Sequence, residues 1–559
     1  MDTTMSQPAI PHSYLQIHPM DNVLVALRDL PAGYAINHDG RKFLLADAIA
    51  AKHKFTIGPL SQNAEIYMYG VLVGKTSTEL VQGAALTVNN IIHAAQGYHL
   101  AERKTAWHAP DVSRFADKTF MGYYREDGSV GTANYWIVIP LVFCENRNVE
   151  VLKEALNEKL GFKKQRGYEN EVESLVQMYK AGKSATEILS ADLHQSQAEQ
   201  PENRLFPNID GIKFINHDMG CGGTRMDSDT LCGLLAGYIT HPNVAGATVL
   251  SLGCQHAQVS ILQAEINKRD PQFKKPLVIL EQQKLGTERR LMEEALKQTF
   301  AGLITANETM RRPAPLSKLC IGLECGGSDG FSGISANPAL GHLSDILVSM
   351  GGSVILAEFP ELCGVEQELS DRCIDAETAN RFMQLMTTYN ALAEATGSGF
   401  YANPSPGNIK DGLITDAIKS AGAAKKGGTS PVTAVLDYPE KVILPGLNLL
   451  CTPGSDVEST TAEVASGANI VLFTTGLGTP TGNPVAPVIK LSTNTALFNK
   501  MPDIIDINCG TIIEGTETIE ASAERILDYV IEVASGRVKP HAVRLGQDDF
   551  IPWKRGVSL

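Results

Sequence analysis

The sequence has no long apolar run, no basic block and few aromatic residues, which make up 6% of the chain. No segment reaches about 18 consecutive apolar residues, so no membrane-spanning helix is predicted. Basic residues number 48 against 62 acidic residues, a formal net charge of −14. Such a chain is a poor partner for nucleic acid or an anionic membrane surface. Residues 1–16 lack the basic and apolar regions of a secretory signal, so we expect a cytoplasmic protein.

Cysteine is also sparse, with 10 residues in 559 and no Cys-x-x-Cys pair. This density predicts reduced thiols rather than a disulfide framework, and it provides no local motif for a metal cluster. A hydrophobic fraction of 43% and a charged fraction of 20% are typical of a folded protein. The length predicts two to four domains, and the 50 glycines indicate many tight turns.

The pattern of apolar runs divides the chain into three parts. Residues 1–105 contain short apolar runs with turns between them, which predict a small β-rich unit. Residues 106–315 and 316–559 alternate strand and helix patterns, which predict an α/β body with parallel, doubly wound sheets. The expected strands of the body are 135–143, 211–216, 247–252, 276–281, 319–323, 353–358, 432–437, 469–474 and 503–508, and the expected helices include 148–160, 168–181 and 284–300. Residues 398–413 read as a functional loop and residues 421–428 as a flexible tip.

Three of these strands end in a Gly–Cys turn. Ligands of an open parallel sheet bind at the carboxyl ends of its strands, where glycine turns leave backbone N–H groups free for an anion. The three turns supply candidate anion-binding, acidic and metal-binding residues: His217, Asp218, Cys221, Gly222, Gly223, Gly253, Cys254, His256, Glu324, Cys325, Gly326, Gly327, Ser328, Asp329 and Gly330.

The thiol, imidazole and carboxylate groups of these turns are suited to a metal. His217, Cys221, Cys254, Glu324 and Cys325 would converge if their strands are neighbours. Imidazole with carboxylate favours divalent iron or manganese, whereas three thiolates with an open iron would favour a [4Fe–4S] cluster. We expect a divalent ion, with the cluster as the alternative.

Other polar groups follow strands later in the chain. Glu358, Glu361 and Glu366 come after the 353–358 run. Residues 474–494 are rich in glycine, threonine and asparagine, and their hydroxyl and amide groups could bind the hydroxyls of a sugar chain. Lys490 of this segment could pair with a carboxylate.

Five segments resemble the altronate/galactarate dehydratase family of sugar-acid dehydratases. They are GYYREDGSVGTANYW (122–136), HDMGCGG (217–223), LGCQ (252–255), LECGGSDGFSGISANPALG (323–341) and GLGTPTGNPVAPVIKLSTN (476–494). The resemblance runs from about residue 14 to beyond residue 515, and it implies that residues 1–105 form a SAF (β-clip) domain. It also implies the loss of water from a sugar acid with the help of iron(II) or a similar ion.

The resemblance assigns roles to particular residues. His53 would transfer a proton and Lys54 would contact a carboxylate, although Lys52 stands where the family has glycine. Glu324 and Asp329 complete the expected catalytic set. The expected substrate-binding residues are Gly222, Gly223, Gly326, Gly327, Ser328, Asn483, Lys490 and Asn494, and the expected metal ligands are His217, Cys221, Cys254 and Cys325.

One stretch departs from the family pattern. Altronate dehydratases carry a His-x-His-x-His-Asn run, whereas this chain has Ala85, Thr87 and Asn89 in the histidine places, with His93 and His99 nearby. The expected substrate is D-altronate. Galactarate, a sulfonated hydroxy acid and the role of a non-catalytic sugar-acid sensor are the alternatives, and a homodimer is the expected assembly.

Overall fold

The computed structural model describes residues 12–163, 168–193 and 204–558. Residues 1–11, which carry most of the expectation about a secretory signal, lie outside the described residues. Among the helices that are described, none is long and apolar enough to cross a membrane.

The N-terminal part is built from short antiparallel strands. They are β1 (Tyr14–Leu15), β2 (Val23–Ala26), β3 (Ala35–His38), β4 (Arg41–Leu44), β5 (Lys54–Thr56), β6 (Glu65–Met68), β7 (Val71–Thr76) and β8 (Ile91–Ile92). They pair as β1–β2–β5, β3–β4 and β6–β7–β8. In the β3–β4 hairpin one face is buried and the other exposed, whereas β2 and β5 are buried along their whole length. The β-rich prediction is confirmed.

The middle part carries a four-stranded parallel sheet in the order β12–β11–β13–β14. A separate antiparallel sheet, β10–β9–β15, lies beside it. The elements of the middle part are β9 (Thr119–Tyr124), β10 (Val130–Gly131), β11 (Tyr135–Pro140), α1 (Asn146–Leu160), α2 (Tyr168–Lys180), α3 (Ala185–Leu189), β12 (Gly211–Phe214), α4 (Arg225–Thr240), β13 (Val244–Ser251), α5 (Val259–Arg269), β14 (Leu277–Glu281), α6 (Gln282–Leu285), α7 (Glu288–Ala306) and β15 (Arg312–Pro315).

The C-terminal part carries a seven-stranded parallel sheet in the order β18–β19–β17–β16–β20–β21–β22. Its elements are β16 (Cys320–Cys325), α8 (Ala336–Ser349), β17 (Ser353–Leu356), α9 (Glu366–Asp371), α10 (Ala376–Ala395), α11 (Pro406–Lys410), α12 (Asp416–Ala423), β18 (Val432–Leu436), β19 (Gly446–Leu450), α13 (Asp456–Ser466), β20 (Ile470–Thr475), β21 (Val488–Ser492), α14 (Thr495–Lys500), β22 (Ile507–Asn508), α15 (Gly510–Ile513), α16 (Ile519–Ala534) and α17 (His541–Leu545). The α/β class and the parallel sheets are therefore confirmed.

Two features of the C-terminal part differ from the sequence expectation. Strands β19 and β21 lie in segments for which no strand was predicted, and all their residues are buried. The expected flexible tip, 421–428, is wrong, because Ala421–Ala423 end helix α12 and Ala424–Gly427 form a 3-10 turn, with most of these residues buried. Its small residues allow close packing against α8, where a Cβ on Gly341 would lie 2.2 Å from the Lys425 carbonyl oxygen.

The three parts share their apolar cores. One cluster joins Val23 and Ile66 of the β-rich unit to Leu323 and Leu340 of the C-terminal part. A second joins helix α4 of the middle part to strand β20 of the C-terminal part. The carboxyl ends of the C-terminal sheet therefore have a fixed position relative to the β-rich unit.

Candidate active site

Asp329 follows strand β16 and has no exposed surface. Its Oδ1 accepts hydrogen bonds from Thr493 Oγ1 at 2.9 Å and Ser332 Oγ at 3.2 Å. Its Oδ2 lies 3.2 Å from Asn494 Nδ2 and 3.0 Å from Lys52 Nζ. Thr493 and Asn494 follow strand β21, which is separated from β16 by β20 in the same parallel sheet, so the two strands deliver these groups to one sheet edge.

Lys52 reaches Asp329 from the β-rich unit. Its Nζ also lies 2.8 Å from Asp411 Oδ1, so one ammonium bridges two carboxylates. Burial by itself lowers the pKa of Lys52, but Asp329 and Asp411 outweigh burial and raise the pKa above its ordinary value. We name Lys52, Asp329, Asp411, Thr493 and Asn494 the Asp329 site.

The two residues that follow Lys52 have different surroundings. The Lys54 amine is buried and donates to the carbonyl oxygens of Lys52 at 2.9 Å and Gly412 at 2.7 Å. Burial lowers its pKa to about 7, against a smaller opposing effect of the Asp329 charge. His53 is half-buried, with Nε2 3.1 Å from the Lys410 carbonyl oxygen. Lys52, rather than Lys54, therefore occupies the position of a carboxylate contact.

A second group of charged residues lies at the carboxyl ends of β16 and β17. Cys325 Sγ is 3.3 Å from Glu358 Oε2 and 3.1 Å from Glu361 Oε2. Lys426 Nζ lies 3.0 Å from the same sulfur and 2.7 Å from Glu358 Oε2. Lys419 Nζ lies 2.5 Å from Glu361 Oε1. With the buried Glu324 and Glu463, these residues form what we call the acid–lysine cluster.

Acidic groups outnumber lysines in this cluster, and burial together with neighbouring charges shifts the pKa values of several of them. Burial and the charges of Glu358 and Glu463 raise the pKa of Glu324 well above 4.5. Neither Glu324 oxygen has a hydrogen-bond donor among the described residues, so a protonated Glu324 donating to Glu358 satisfies the geometry. Burial also raises the pKa of Glu463 to about 8. Burial would raise the pKa of Glu361 as well, but Lys419 and Lys426 lower it below its ordinary value.

A small cavity of about 10 Å³, room for about one water molecule, lies between the two groups. Lys419 of the acid–lysine cluster lines it on one side and Ser332, a donor to Asp329, on the other. Ser328 and Tyr69 also line it, so the β-rich unit closes part of the wall. The cavity connects the two groups into one candidate active site.

The acid–lysine cluster contains the group of residues best placed to hold a metal ion. Among the described residues, Cys325, Glu358 and Glu361 are the three whose ligand atoms lie within 4.8 Å of one another. The second oxygen of Glu358 is buried without a hydrogen-bond partner among the same residues, and such an atom suits a cation. Of the expected metal ligands, this group contains Cys325 alone.

The other expected metal ligands lie in the middle part of the chain. His217 Nε2 is 2.8 Å from the Pro140 carbonyl oxygen, and its Nδ1 accepts from the Met219 N–H at 3.2 Å. Both ring nitrogens of His217 therefore make hydrogen-bond contacts with backbone groups. Cys221 and Cys254 are exposed, as is Gly222, whereas Gly223 is buried beside the C-terminal segment.

The expected substrate-binding residues divide into two sets. Asn494 and Ser328 lie at the Asp329 site and the cavity. Gly326 and Gly327 belong to the same turn, and a Cβ on Gly326 would lie 2.1 Å from Asp456 Oδ2. Two further residues bind elsewhere, since Asn483 Nδ2 donates to Tyr238 Oη at 2.9 Å and Lys490 Nζ to Gln547 Oε1 at 2.6 Å.

Five charged residues of the site had no role in the sequence expectation: Lys52, Asp411, Lys419, Lys426 and Glu463. Lys52 was noted only as a replacement for glycine, and Asp411 had no individual role but lies in the 398–413 segment predicted to be a functional loop. Lys419 and Glu463 carried no motif. Lys426 lay in the segment expected to be a flexible tip. A lysine within a run of alanine and glycine was the available signal, because such small residues permit burial of a long side chain between helices. The two histidines close to the missing histidine run contact the C-terminal part of the chain. His93 Nδ1 contacts the Asp416 carboxylate, and the His99 backbone N–H donates to Gln367 Oε1.

Comparison with family models gives three matches in chain order. The models describe an altronate/galactarate dehydratase SAF domain at residues 12–94 and the second domain of D-galactarate dehydratase/altronate hydrolase at residues 122–307. A third describes the C-terminal part of D-galactarate/altronate dehydratase at residues 316–558.

Characterised relatives align with nearly the whole chain. Altronate dehydratase of Bacillus subtilis is 32% identical over 98% of this chain and 100% of its own length. Altronate dehydratase of Escherichia coli is 31% identical over 94% of this chain and 95% of its own length. Galactarate dehydratase (L-threo-forming) of Escherichia coli is 30% identical over 95% of each chain.

Proposed function

Because the chain belongs to the altronate/galactarate dehydratase family of hydro-lyases, which remove water from sugar acids, we propose that it converts D-altronate to 2-keto-3-deoxy-D-gluconate and water. The observation that carries the proposal is the Lys52–Asp329 pair, which joins the SAF domain to the end of strand β16. A cation beside a buried carboxylate provides the two charges that this elimination requires.

The reaction removes a proton from the carbon next to the carboxylate and a hydroxyl from the following carbon. The resulting enol becomes the keto acid. We assign the Asp329 carboxylate as the base, held in place by Thr493 and Asn494. The Lys52 ammonium would exchange its carboxylate partners for the substrate carboxylate and stabilise the charge that develops there. His53 is the proposed donor of a proton to the departing hydroxyl.

We propose that iron(II), or alternatively manganese(II), binds to Cys325, Glu358 and Glu361. The excess of acidic groups over lysines around these ligands favours a divalent cation. When bound, the ion would supply Lewis-acid polarisation of a substrate oxygen. Lys426 contacts two of the same ligand atoms, so it would change partners as the ion enters.

Galactarate is a second candidate substrate. It carries carboxylates at both ends, and besides Lys52 the structure has a buried lysine, Lys419, in the wall of the cavity. Lys52 and Lys419 could each pair with one carboxylate. The ten free cysteines agree with a cytoplasmic reaction in either case.

The test is product formation from D-altronate, galactarate and sulfolactate, measured anaerobically with iron(II) and again with a chelator. We expect keto-deoxy acid from D-altronate that disappears with the chelator. Faster turnover of galactarate would replace the proposed substrate. A melting shift with any of these acids, and no product from any of them, would overturn the assigned reaction and indicate a sensor.

A further inference from the structure

Three exposed cysteines lie at the carboxyl edge of the four-stranded sheet. Cys144 follows β11, Cys221 follows β12 and Cys254 follows β13. Strand β11 lies between the other two, and all three run parallel. Parallel neighbours end at the same edge, so the three turns that carry these cysteines are adjacent.

Backbone contacts hold the three turns together. The Phe143 N–H donates to the Met219 carbonyl at 3.0 Å, which joins the Cys144 turn to the Cys221 turn. The His256 N–H donates to the Cys221 carbonyl at 3.2 Å, which joins the Cys221 turn to the Cys254 turn. Gly220 has a φ of +99°, and a Cβ there would lie 2.4 Å from the Leu141 carbonyl oxygen. Glycine is therefore needed for this approach.

The side chains also meet. The Cys144 thiol interacts with Cys221 and is close enough to Cys254 to feel its charge. Three mutually close thiols open to solvent have no role in packing a core.

The spacing of the sulfurs does not suit a single ion. Two sulfur ligands of one zinc ion lie at most about 4.6 Å apart, twice the metal–sulfur distance of about 2.3 Å. In the described parts of the chain, the trio within 4.8 Å is Cys325, Glu358 and Glu361 and not these cysteines. A cluster spreads its iron atoms over several ångströms, so cysteines that are further apart can bind different irons.

The turns also offer donors for the sulfide ions of a cluster. Among the described residues, no protein acceptor is paired with the backbone N–H groups of Cys221, Gly222 or Cys254. Hydrogen bonds to cluster sulfurs are a common means by which proteins stabilise a cluster and set its potential.

We propose that Cys144, Cys221 and Cys254 bind a [4Fe–4S] cluster, each through its sulfur to a different iron. The fourth iron then has no cysteine ligand and faces solvent. This site is distinct from the Cys325–Glu358–Glu361 group, and the proposal does not depend on which sugar acid the chain converts.

The experiment is anaerobic reconstitution of the full chain with iron(II) and sulfide. We expect about four sulfide ions and about five iron ions per chain, four of them in the cluster and one at the Cys325–Glu358–Glu361 group, with a broad visible absorption and a paramagnetic signal after reduction. Single variants Cys144→Ser, Cys221→Ser and Cys254→Ser should each lose most of the bound sulfide and of the absorption. Cys363→Ser, a half-buried thiol outside the three turns, is the matched control and should keep both.

Two results would overturn the proposal. One is bound iron without sulfide, or a single zinc ion, in the native protein. The other is an absorption and sulfide content that survive in the three single variants. Thermal melting of each variant checks that the fold is intact, and because the thiols are exposed we expect little change. Loss of cluster in Cys325→Ser as well would contradict the assignment of two separate sites.

Discussion

At the residue scale, Lys52 shows how the site is formed at a cost in backbone strain. Its φ is +76°, in the left-handed region that favours glycine, and this conformation costs about 1–2 kcal/mol for an L-residue. Its carbonyl packs against Gly330 and Gly412, where an added Cβ would lie 2.5 Å away. The ion pairs with Asp329 and Asp411 offset the strain and fix the ammonium at the end of strand β16.

Asp329→Asn tests the proposed base. The amide cannot accept the proton, so turnover should fall by about two to four orders of magnitude, as for other general bases. Asp411→Asn is the matched control, because Asp411 also contacts Lys52 but has no assigned proton transfer. We expect it to cost less than about tenfold. Equal losses in both variants, measured by steady-state product formation, would remove Asp329 from the proton transfer.

Glu463→Gln tests whether the buried Glu463 carboxyl group makes the free energy of unfolding depend on pH. The ordinary pKa of 4.5 is raised to about 8 in the folded chain, mainly by burial. The unfolded chain therefore releases this proton at lower pH than the folded chain does. The free energy of unfolding should fall as pH rises from about 4.5 to about 8 and then level off with respect to this group.

The glutamine variant cannot titrate, yet its side-chain oxygen can still accept from the Leu323 N–H. Its melting temperature should decline less than that of the native chain between about pH 5 and about pH 9. Glu377→Gln, on the exposed first turn of α10, should follow the native curve. Parallel curves for all three proteins would exclude the titration of Glu463.

At the element scale, helix α12 and the 3-10 turn after it deliver both lysines of the acid–lysine cluster. Thr415 begins α12 as its N-cap and also donates to the Val73 carbonyl of strand β7 at 3.1 Å. The same short element thus contacts the SAF domain and neutralises Glu358 and Glu361. Its small residues permit this burial, whereas a helix of larger side chains would keep the lysines in solvent.

Lys426→Met should strongly destabilise the chain. Removal of one partner from a buried charge group typically costs about 3–5 kcal/mol, because the remaining charges lose their compensation. Lys425→Met changes the adjacent, half-buried lysine and should cost under about 1 kcal/mol. Urea unfolding at neutral pH measures both.

Addition of Glu358→Gln to Lys426→Met should recover part of the loss, since it removes the carboxylate that the lysine neutralised. An additive or larger loss in the double variant would contradict the charge explanation.

At the scale of the whole molecule, shared cores make the three parts one cooperative structure. The first apolar cluster contains residues of the SAF domain and of the C-terminal sheet, and the second contains residues of the middle and C-terminal parts. The candidate active site lies where the SAF domain meets the C-terminal sheet. Separation of the SAF domain from the body would therefore expose apolar surface and also remove Lys52 from Asp329 and Asp411.

We expect the chain to unfold in a single transition. Circular dichroism and the fluorescence of Trp107, Trp136 and Trp553, which lie in different parts of the chain, should give coincident urea midpoints. Tyr69→Ala, at the SAF surface that closes the cavity, should lower the common midpoint without separating the curves. An early transition that reports only the SAF domain would show that the parts unfold independently.

The sequence by itself determined the α/β class, most of the strands and the turns that carry Asp329, Cys221 and Cys254, because these depend on local apolar periodicity and glycine. It also determined the family, through motifs such as the 323–341 segment. Only the tertiary structure decided that Lys52, Lys419 and Lys426 complete the site and that Cys144 joins Cys221 and Cys254. Lys52 and Asp329 are far apart along the chain, and Lys426 becomes a buried partner only when the 3-10 turn that follows α12 packs against α8 and β17. Charge pairing at such sequence separation depends on how the elements pack: the alanine and glycine run around Lys426 permits its burial, but it does not specify which residues the lysine pairs with.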